Sequence, residues 1–291
     1  MAKTRIQIAK PGIVEFFDQL PQRIYRRADL SQVLAAGRQG WRLTERETVN
    51  TFTDFLVKHT KLRRAVFKFP SRTERRYTWG DVPFYELVGS VKPGAYFSHY
   101  TAMYFHELTR QVPKTVYLNF EQSPKPAFWG SLTQEQIDAS CRRRPRTTSN
   151  KARFRGYNIF LLSGKHTGQL GVIDATGPED SKVRVTSIER TLIDIVVRPN
   201  YAGGVFEVLQ AYRLAQERVS VNRLAAFLKK LDYLYPYHQA IGFYLDRAGT
   251  YKPSQIELLR KPAFEVDFFL CHGMEDTEYS REWRLYFPKG F

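Results

Sequence analysis

The apolar residues of the first 80 positions change their spacing once, and that change limits what this part of the chain can become. From Ile13 to Leu20, around Leu30, Val33 and Leu34, and again at Val49, Phe52, Phe55 and Leu56 they recur at helical intervals, whereas from Arg64 to Trp79 they alternate. The first run predicts a short helix over Ile13 to Leu20, closed by Pro21. The second predicts a helix with Asp29 as N-cap and with Gly37 and Gly40 loosening its end. The third predicts a helix opened by a capping box, Thr44-Glu45-Arg46-Glu47. Arg64 to Phe69 and Arg75 to Trp79 then read as a hairpin with a polar tip at Pro70 to Glu74.

Three helices followed by a basic two-stranded hairpin is the order of a winged helix-turn-helix, and the charge agrees with it. The 291-residue chain carries a formal net charge of +16, and residues 1–80 hold 17 basic and 7 acidic side chains. A second basic concentration follows Cys141: Arg142, Arg143, Arg144, Arg146, Lys151, Arg153 and Arg155, with no acidic residue among them. Two such patches on an otherwise balanced chain point to a polyanionic partner. If the third helix enters a major groove, its polar face presents Glu47, Asn50, Thr51, Asp54 and Lys58, of which Asn50 and Thr51 suit base edges. Arg46, Arg63, Arg64, Arg72, Arg75 and Arg76 are then placed to neutralise phosphates. The segment from Arg142 to Arg155 reads as a basic loop, or as a second nucleic-acid contact in which Phe154 and Tyr157 stack on a base.

With 43% hydrophobic residues the chain is long enough for two domains and too apolar for a disordered polyelectrolyte. Beyond Gly80-Asp81 the apolar segments lengthen, which predicts an α+β protein: a winged helix over residues 1–84 and a larger mixed α/β unit over residues 85–291. Within the latter, a helix is expected over Ser98 to Leu108 and strands at Lys114 to Phe120, Tyr157 to Leu162, Leu170 to Ile173 and Val183 to Val185. Helices are expected from Thr186 to about Lys261, then strand-like runs at Glu265 to Leu270 and Trp283 to Phe287. Two isolated cysteines, no apolar leader-like segment and no run of about 18 apolar residues suggest a cytoplasmic protein with no membrane span.

Enzyme chemistry has little to stand on. The phosphate-loop pattern is missing, and Ser163-Gly164-Lys165-His166-Thr167 reads as a polar hairpin turn rather than a phosphate contact. The six histidines have no metal-ligand spacing, so neither a metal nor a cofactor is expected. Glu265, Asp267 and Glu282 keep a metal-dependent nuclease as the alternative from another class. Thr186-Ser187-Ile188-Glu189 has the spacing of another capping box, opening a helix that buries Ile188, Leu192 and Ile195, with Glu189, Arg190 and Asp194 on neighbouring turns as a buried or partly buried ion network or a partner-reading surface. Gly203-Gly204 suits a tight loop before the next helix.

Three segments resemble a known family. Tyr96-Phe97-Ser98-His99-Tyr100-Thr101-Ala102, Pro113-Lys114-Thr115-Val116-Tyr117, and above all Thr186 to Asp194 with Arg198-Pro199 and Gly203-Gly204 are similar to the AbiEi-type antitoxins of type IV abortive-infection toxin/antitoxin systems. The resemblance covers most of the chain and marks Ser98, Thr186, Glu189, Arg190, Asp194, Gly203 and Gly204 as family positions. It implies a non-enzymatic phage-defence protein whose winged helix binds inverted repeats in double-stranded promoter DNA and represses its own operon. It also implies a C-terminal domain that counters a nucleotidyltransferase toxin without a stable complex.

Overall fold

The computed structural model describes residues 3–124 and 132–291, and the protein is α+β. Its N-terminal part consists of helix α1 (Arg5–Gln19), strand β1 (Ile24–Tyr25), helices α2 (Arg27–Gly37) and α3 (Val49–His59), and strands β2 (Leu62–Lys68) and β3 (Thr73–Trp79). The strands form an antiparallel sheet in the order β1-β3-β2. The helices close over one face of it around Ile13, Phe17, Leu30, Phe52, Leu56, Leu62, Tyr77 and Trp79.

Every helix start here differs from the sequence reading, and each for a local reason. α1 begins at Arg5 rather than Ile13 and contains Pro11. The lost backbone hydrogen bond is outweighed by burial of Ile6, Ile13 and Phe17 along one stripe. α2 is preceded by Arg26; Asp29 is not its cap but sits in the first turn, accepting from the Arg26 amide at 2.7 Å and from Arg26 Nη2 at 3.1 Å. α3 starts at Val49, capped by Thr48, whose Oγ1 accepts from the Thr51 amide at 3.2 Å. The Thr44-to-Glu47 stretch is instead a turn, closed by the Glu47 amide on the Thr44 carbonyl and held by Arg38, which donates to the carbonyls of Thr44 and Glu47.

The second unit opens with α4 (Phe84–Gly89), β4 (Tyr96–Phe97), α5 (His99–Phe105), β5 (Thr115–Glu121) and α6 (Gln134–Cys141). Strands β6 (Lys151–Phe154), β7 (Tyr157–Gly164), β8 (Val172–Thr176) and β9 (Lys182–Thr186) complete a mixed six-stranded sheet ordered β6-β7-β5-β4-β9-β8. β5 runs parallel to β7 and β4 parallel to β9, the other neighbours being antiparallel. Since β7 and β8 are not neighbours, Ser163 to Thr167 is part of a crossover and not the hairpin turn expected from its composition. Helices α7 (Ile188–Val197), α8 (Val205–Ala215), α9 (Val221–Leu231), α10 (Tyr237–Ala248) and α11 (Pro253–Arg260) follow. They pack with a small sheet of β10 (Phe268–Phe269), β11 (Thr277–Ser280) and β12 (Leu285–Pro288) around Leu192, Tyr212, Ile241, Tyr244 and Trp283.

The β2–β3 hairpin has both faces covered at different heights. One face feeds the N-terminal core, while Ala65, Phe67 and Phe69 on the other enter the core of the second unit beside Phe84, Leu87, Val116 and Ile159. Phe67 packs on Phe154 of β6 with ring centres 4.5 Å apart. The two units therefore share a hydrophobic contact across the hairpin rather than a free linker.

Candidate nucleic-acid interface and the buried network of helix α7

β2 alternates, so it sorts its basic residues by face. Pairing of Arg64 with Tyr77, Val66 with Arg75 and Lys68 with Thr73 puts Arg64, Lys68 and Arg75 on the hairpin face that, nearer its base, carries Leu62, Tyr77 and Trp79 under the helices. Arg64 reaches α3, where it pairs with Asp54, and lies 5.7 Å from the Tyr77 ring centre. Lys68 and Arg75 are exposed, and neither has an ion-pair partner among the described residues. On α3, Asn50, Thr51, Asp54 and Lys58 are all exposed.

The surface is more pre-arranged than the sequence suggests. Asn50 Oδ1 accepts from Arg27 Nε at 3.2 Å and Nη2 at 3.0 Å, so α2 fixes the amide that the reading made a base reader. Thr51 is partly committed to the cap, its Oγ1 accepting from the Thr48 amide at 2.9 Å. The acidity expected on this face is reduced, because Asp54 is paired and Glu47 lies on the preceding turn. Arg46 is exposed on that turn; Arg63 pairs with Asp81, and Arg72 with Glu74 at 2.9 Å. Two contributors went unseen: Arg27, one helix away in sequence, and Lys68, which the strand alternation alone could have added.

Arg76 is the clear correction. Expected to meet phosphate, it is 4% exposed and belongs to the opposite face of the hairpin. Its Nε donates to the Ser90 carbonyl at 2.9 Å and its Nη2 to the Val91 carbonyl, capping the end of α4. Glu74 supplies the countercharge at 3.3 Å.

The second basic segment is exposed at Arg142, Arg143, Arg144, Arg146, Lys151, Arg153 and Arg155. Lys151 and Arg153 lie on β6, an edge strand, where charge also discourages pairing with a further strand. Of the aromatic residues considered for stacking here, Phe154 packs on Phe67 and Tyr157 on Phe84, each with centres 4.5 Å apart, and both stay partly exposed. β2 runs beside β6, so the two basic segments adjoin.

The family-like positions gather elsewhere, in the interior. Ser187, not Thr186, caps α7, accepting from the Arg190 amide, while Thr186 ends β9 and shares a 2.8 Å hydroxyl contact with Thr191. The helix is buried from Glu189 to Val196, so Leu192 and Ile195 are covered as expected and the charged residues with them: Glu189 is 0% and Arg190 4% exposed, while Ile188 remains partly accessible. Glu189 accepts from Arg223 Nη2 at 2.6 Å and from the Ser220 amide at 3.1 Å, joining α7 to the start of α9. Burial raises its pKa, but these donors outweigh that and hold it below the ordinary carboxylate value. Arg190 donates to Asp194 at 2.8 Å and to the Leu170 carbonyl at 2.6 Å.

Glu121 ends β5 by collecting the amides of Thr167 and Gln169 at 2.9 and 3.0 Å. Burial opposes its ionisation, yet these hydrogen bonds keep its pKa low. Ser98, at the start of α5, makes a 2.8 Å contact with His99 Nδ1. His99 is buried with φ 52°, and burial pushes its pKa down to about 4. Gly203 and Gly204 have φ of 82° and 96°, and a side chain on Gly203 would meet Tyr100.

The carboxylates considered for metal chemistry are separately occupied. Asp267 accepts from Arg284 at 2.8 Å and Glu282 pairs with Arg260, whereas Glu265 is exposed. Lys165 donates to the carbonyls of Leu231 and Asp232 at 2.7 and 2.6 Å, closing the end of α9. Among the described residues no helix is long and apolar enough to cross a membrane.

No protein-family model and no curated protein matches the chain. The fold is similar to that in the crystal structure of the Rv2827c protein from Mycobacterium tuberculosis, with a TM-score of 0.59 and 14% identity over 98% of this chain and 93% of that one.

Proposed function

We propose that the N-terminal part is a winged helix that reads DNA through α3, and that the chain is a cytoplasmic repressor of its own operon. The observation that carries this is the meeting of α3 with the hairpin face bearing Arg64, Lys68 and Arg75, in the element order α1-β1-α2-α3-β2-β3. Asn50, oriented by Arg27, is the base reader; Arg46, Lys58, Lys68 and Arg75 are the phosphate contacts. Arg142 to Arg155 extend the basic surface and add affinity without sequence choice.

The resemblance to AbiEi-type antitoxins supports the second half of the proposal, in which residues 85–291 counter a nucleotidyltransferase toxin. The buried network of α7 then maintains the shape of that unit and takes no part in chemistry. Footprinting the full chain on its own upstream DNA tests the first half. Protection of inverted repeats, with discrimination lost at one base pair in Asn50→Ala, is the expected result; uniform weak protection of any sequence refutes it. Co-expression with a nucleotidyltransferase toxin tests the second, with growth rescue as the expected outcome.

A further inference from the structure

A cleft of about 710 Å³ opens where β5 and β7 end side by side. The carboxyl ends of parallel strands are where open α/β sheets commonly take small ligands, and this volume is in the range of such sites. Its lining includes Phe120, Gln122 and Ser123 from the end of β5, Ser163 and His166 from the end of β7 and the crossover, and Lys92 from the loop before β4. Lys92 has no ion-pair partner among the described residues, and its Nζ lies 5.0 Å from the Phe120 ring centre.

The one carboxylate in the wall among the described residues is not open to a cation. Glu121 Oε1 already accepts from Thr167 Oγ1, the Gln169 amide and Tyr96, and Oε2 from the Thr167 amide, so its oxygens are spent on holding the crossover against the strand end. His166 Nδ1 stands 3.4 Å from the same carboxylate, which orients the ring and turns Nε2 away from it. The remaining polar side chains of the cleft are an ammonium, an imidazole, two hydroxyls and the amides of Gln122 and Gln169, beside a partly exposed aromatic ring.

We propose that this cleft binds a small phosphate ester of nucleotide size, its phosphate held by Lys92, His166 and the hydroxyls of Ser123 and Ser163, and its organic part lying against Phe120. An ammonium with no ion-pair partner among the described residues favours an anion, and the oxygens of a phosphate can accept from ammonium, hydroxyl and imidazole donors alike. The site shares no residue with the proposed DNA surface, so it stands or falls separately.

Calorimetric titration of the full chain with adenosine 5′-monophosphate, inorganic phosphate and adenosine tests the proposal. Saturable binding of the nucleotide, competed by inorganic phosphate and not shown by adenosine, is expected. Lys92→Gln and His166→Gln should each weaken it about tenfold or more, the loss of one charge-assisted hydrogen bond, while Lys92→Arg retains it and the Tm and DNA affinity are unchanged. Inorganic phosphate binding as tightly as the nucleotide supports the anion site and overturns the contact of the organic part with Phe120. Absence of binding by both anions at about 10 mM, adenosine binding as well as the nucleotide, or indifference to both Lys92→Gln and His166→Gln overturns it.

Discussion

Arg75 and Arg76 are adjacent in sequence and opposite in consequence. Arg75 is exposed on the helix side of the hairpin, so Arg75→Ala should weaken DNA binding at every sequence and lower the salt dependence by about one counterion. Arg76→Ala removes the donors from two backbone carbonyls and should instead lower stability by about 1–3 kcal/mol, read by denaturant unfolding. His99 gives the pH dependence its sign. Neutral in the fold with a pKa near 4 against 6.5 when free, it leaves stability untouched above pH 6.5. Below that the unfolded chain takes up a proton the folded chain refuses, so stability declines until about pH 4, by up to roughly 3 kcal/mol. His106, also lowered by burial, acts in the same direction, and Glu121 and Glu189, held low, add a further loss as pH falls below about 4.5. His99→Asn, which tolerates the positive φ, should flatten the slope between pH 6.5 and 4; an unchanged slope in unfolding curves counts against this origin.

At the level of elements, the capping of α3 separates what spacing reveals from what it conceals. Both Thr44 and Thr48 precede an apolar helical run, and only Arg38 reaching across from α2 decides that the first becomes a turn. Thr48→Ala should cost about 1 kcal/mol and Thr44→Ala close to nothing, as measured by thermal unfolding. The same limit applies to α1, where Pro11 conceals a helix that long-range burial of Ile6 maintains. Period and polarity did reveal the three helices, the hairpin and strands β5, β7 and β9. They left open whether Glu189, Arg190 and Asp194 form a buried network or an exposed surface, because the partner that settles it for Glu189, Arg223, arrives from α9. Likewise the hairpin reads as free and basic until Phe67, Phe69 and Arg76 are seen to face a second core.

For the molecule as a whole, that shared hairpin makes the N-terminal part dependent on the rest. A fragment of residues 1–84 exposes Ala65, Phe67 and Phe69 together and strips Arg76 of its carbonyl partners. It should therefore associate or unfold at a lower temperature than the N-terminal part does within the full chain, visible by light scattering and circular dichroism. On the proposed reading, an N-terminal head fixed to the larger body would present the Arg142-to-Arg155 surface to DNA in a set position rather than on a tether. The most direct test of the central claim is a salt titration of full-length binding to the protein's own upstream DNA and to a scrambled duplex, for the natural chain and for a Lys68→Ala, Arg75→Ala variant. Preference for the upstream duplex, with the variant losing affinity for both and about two units of salt slope, is the expected result. Equal binding to both duplexes, or a variant that behaves like the natural chain, contradicts the assignment of this face to DNA.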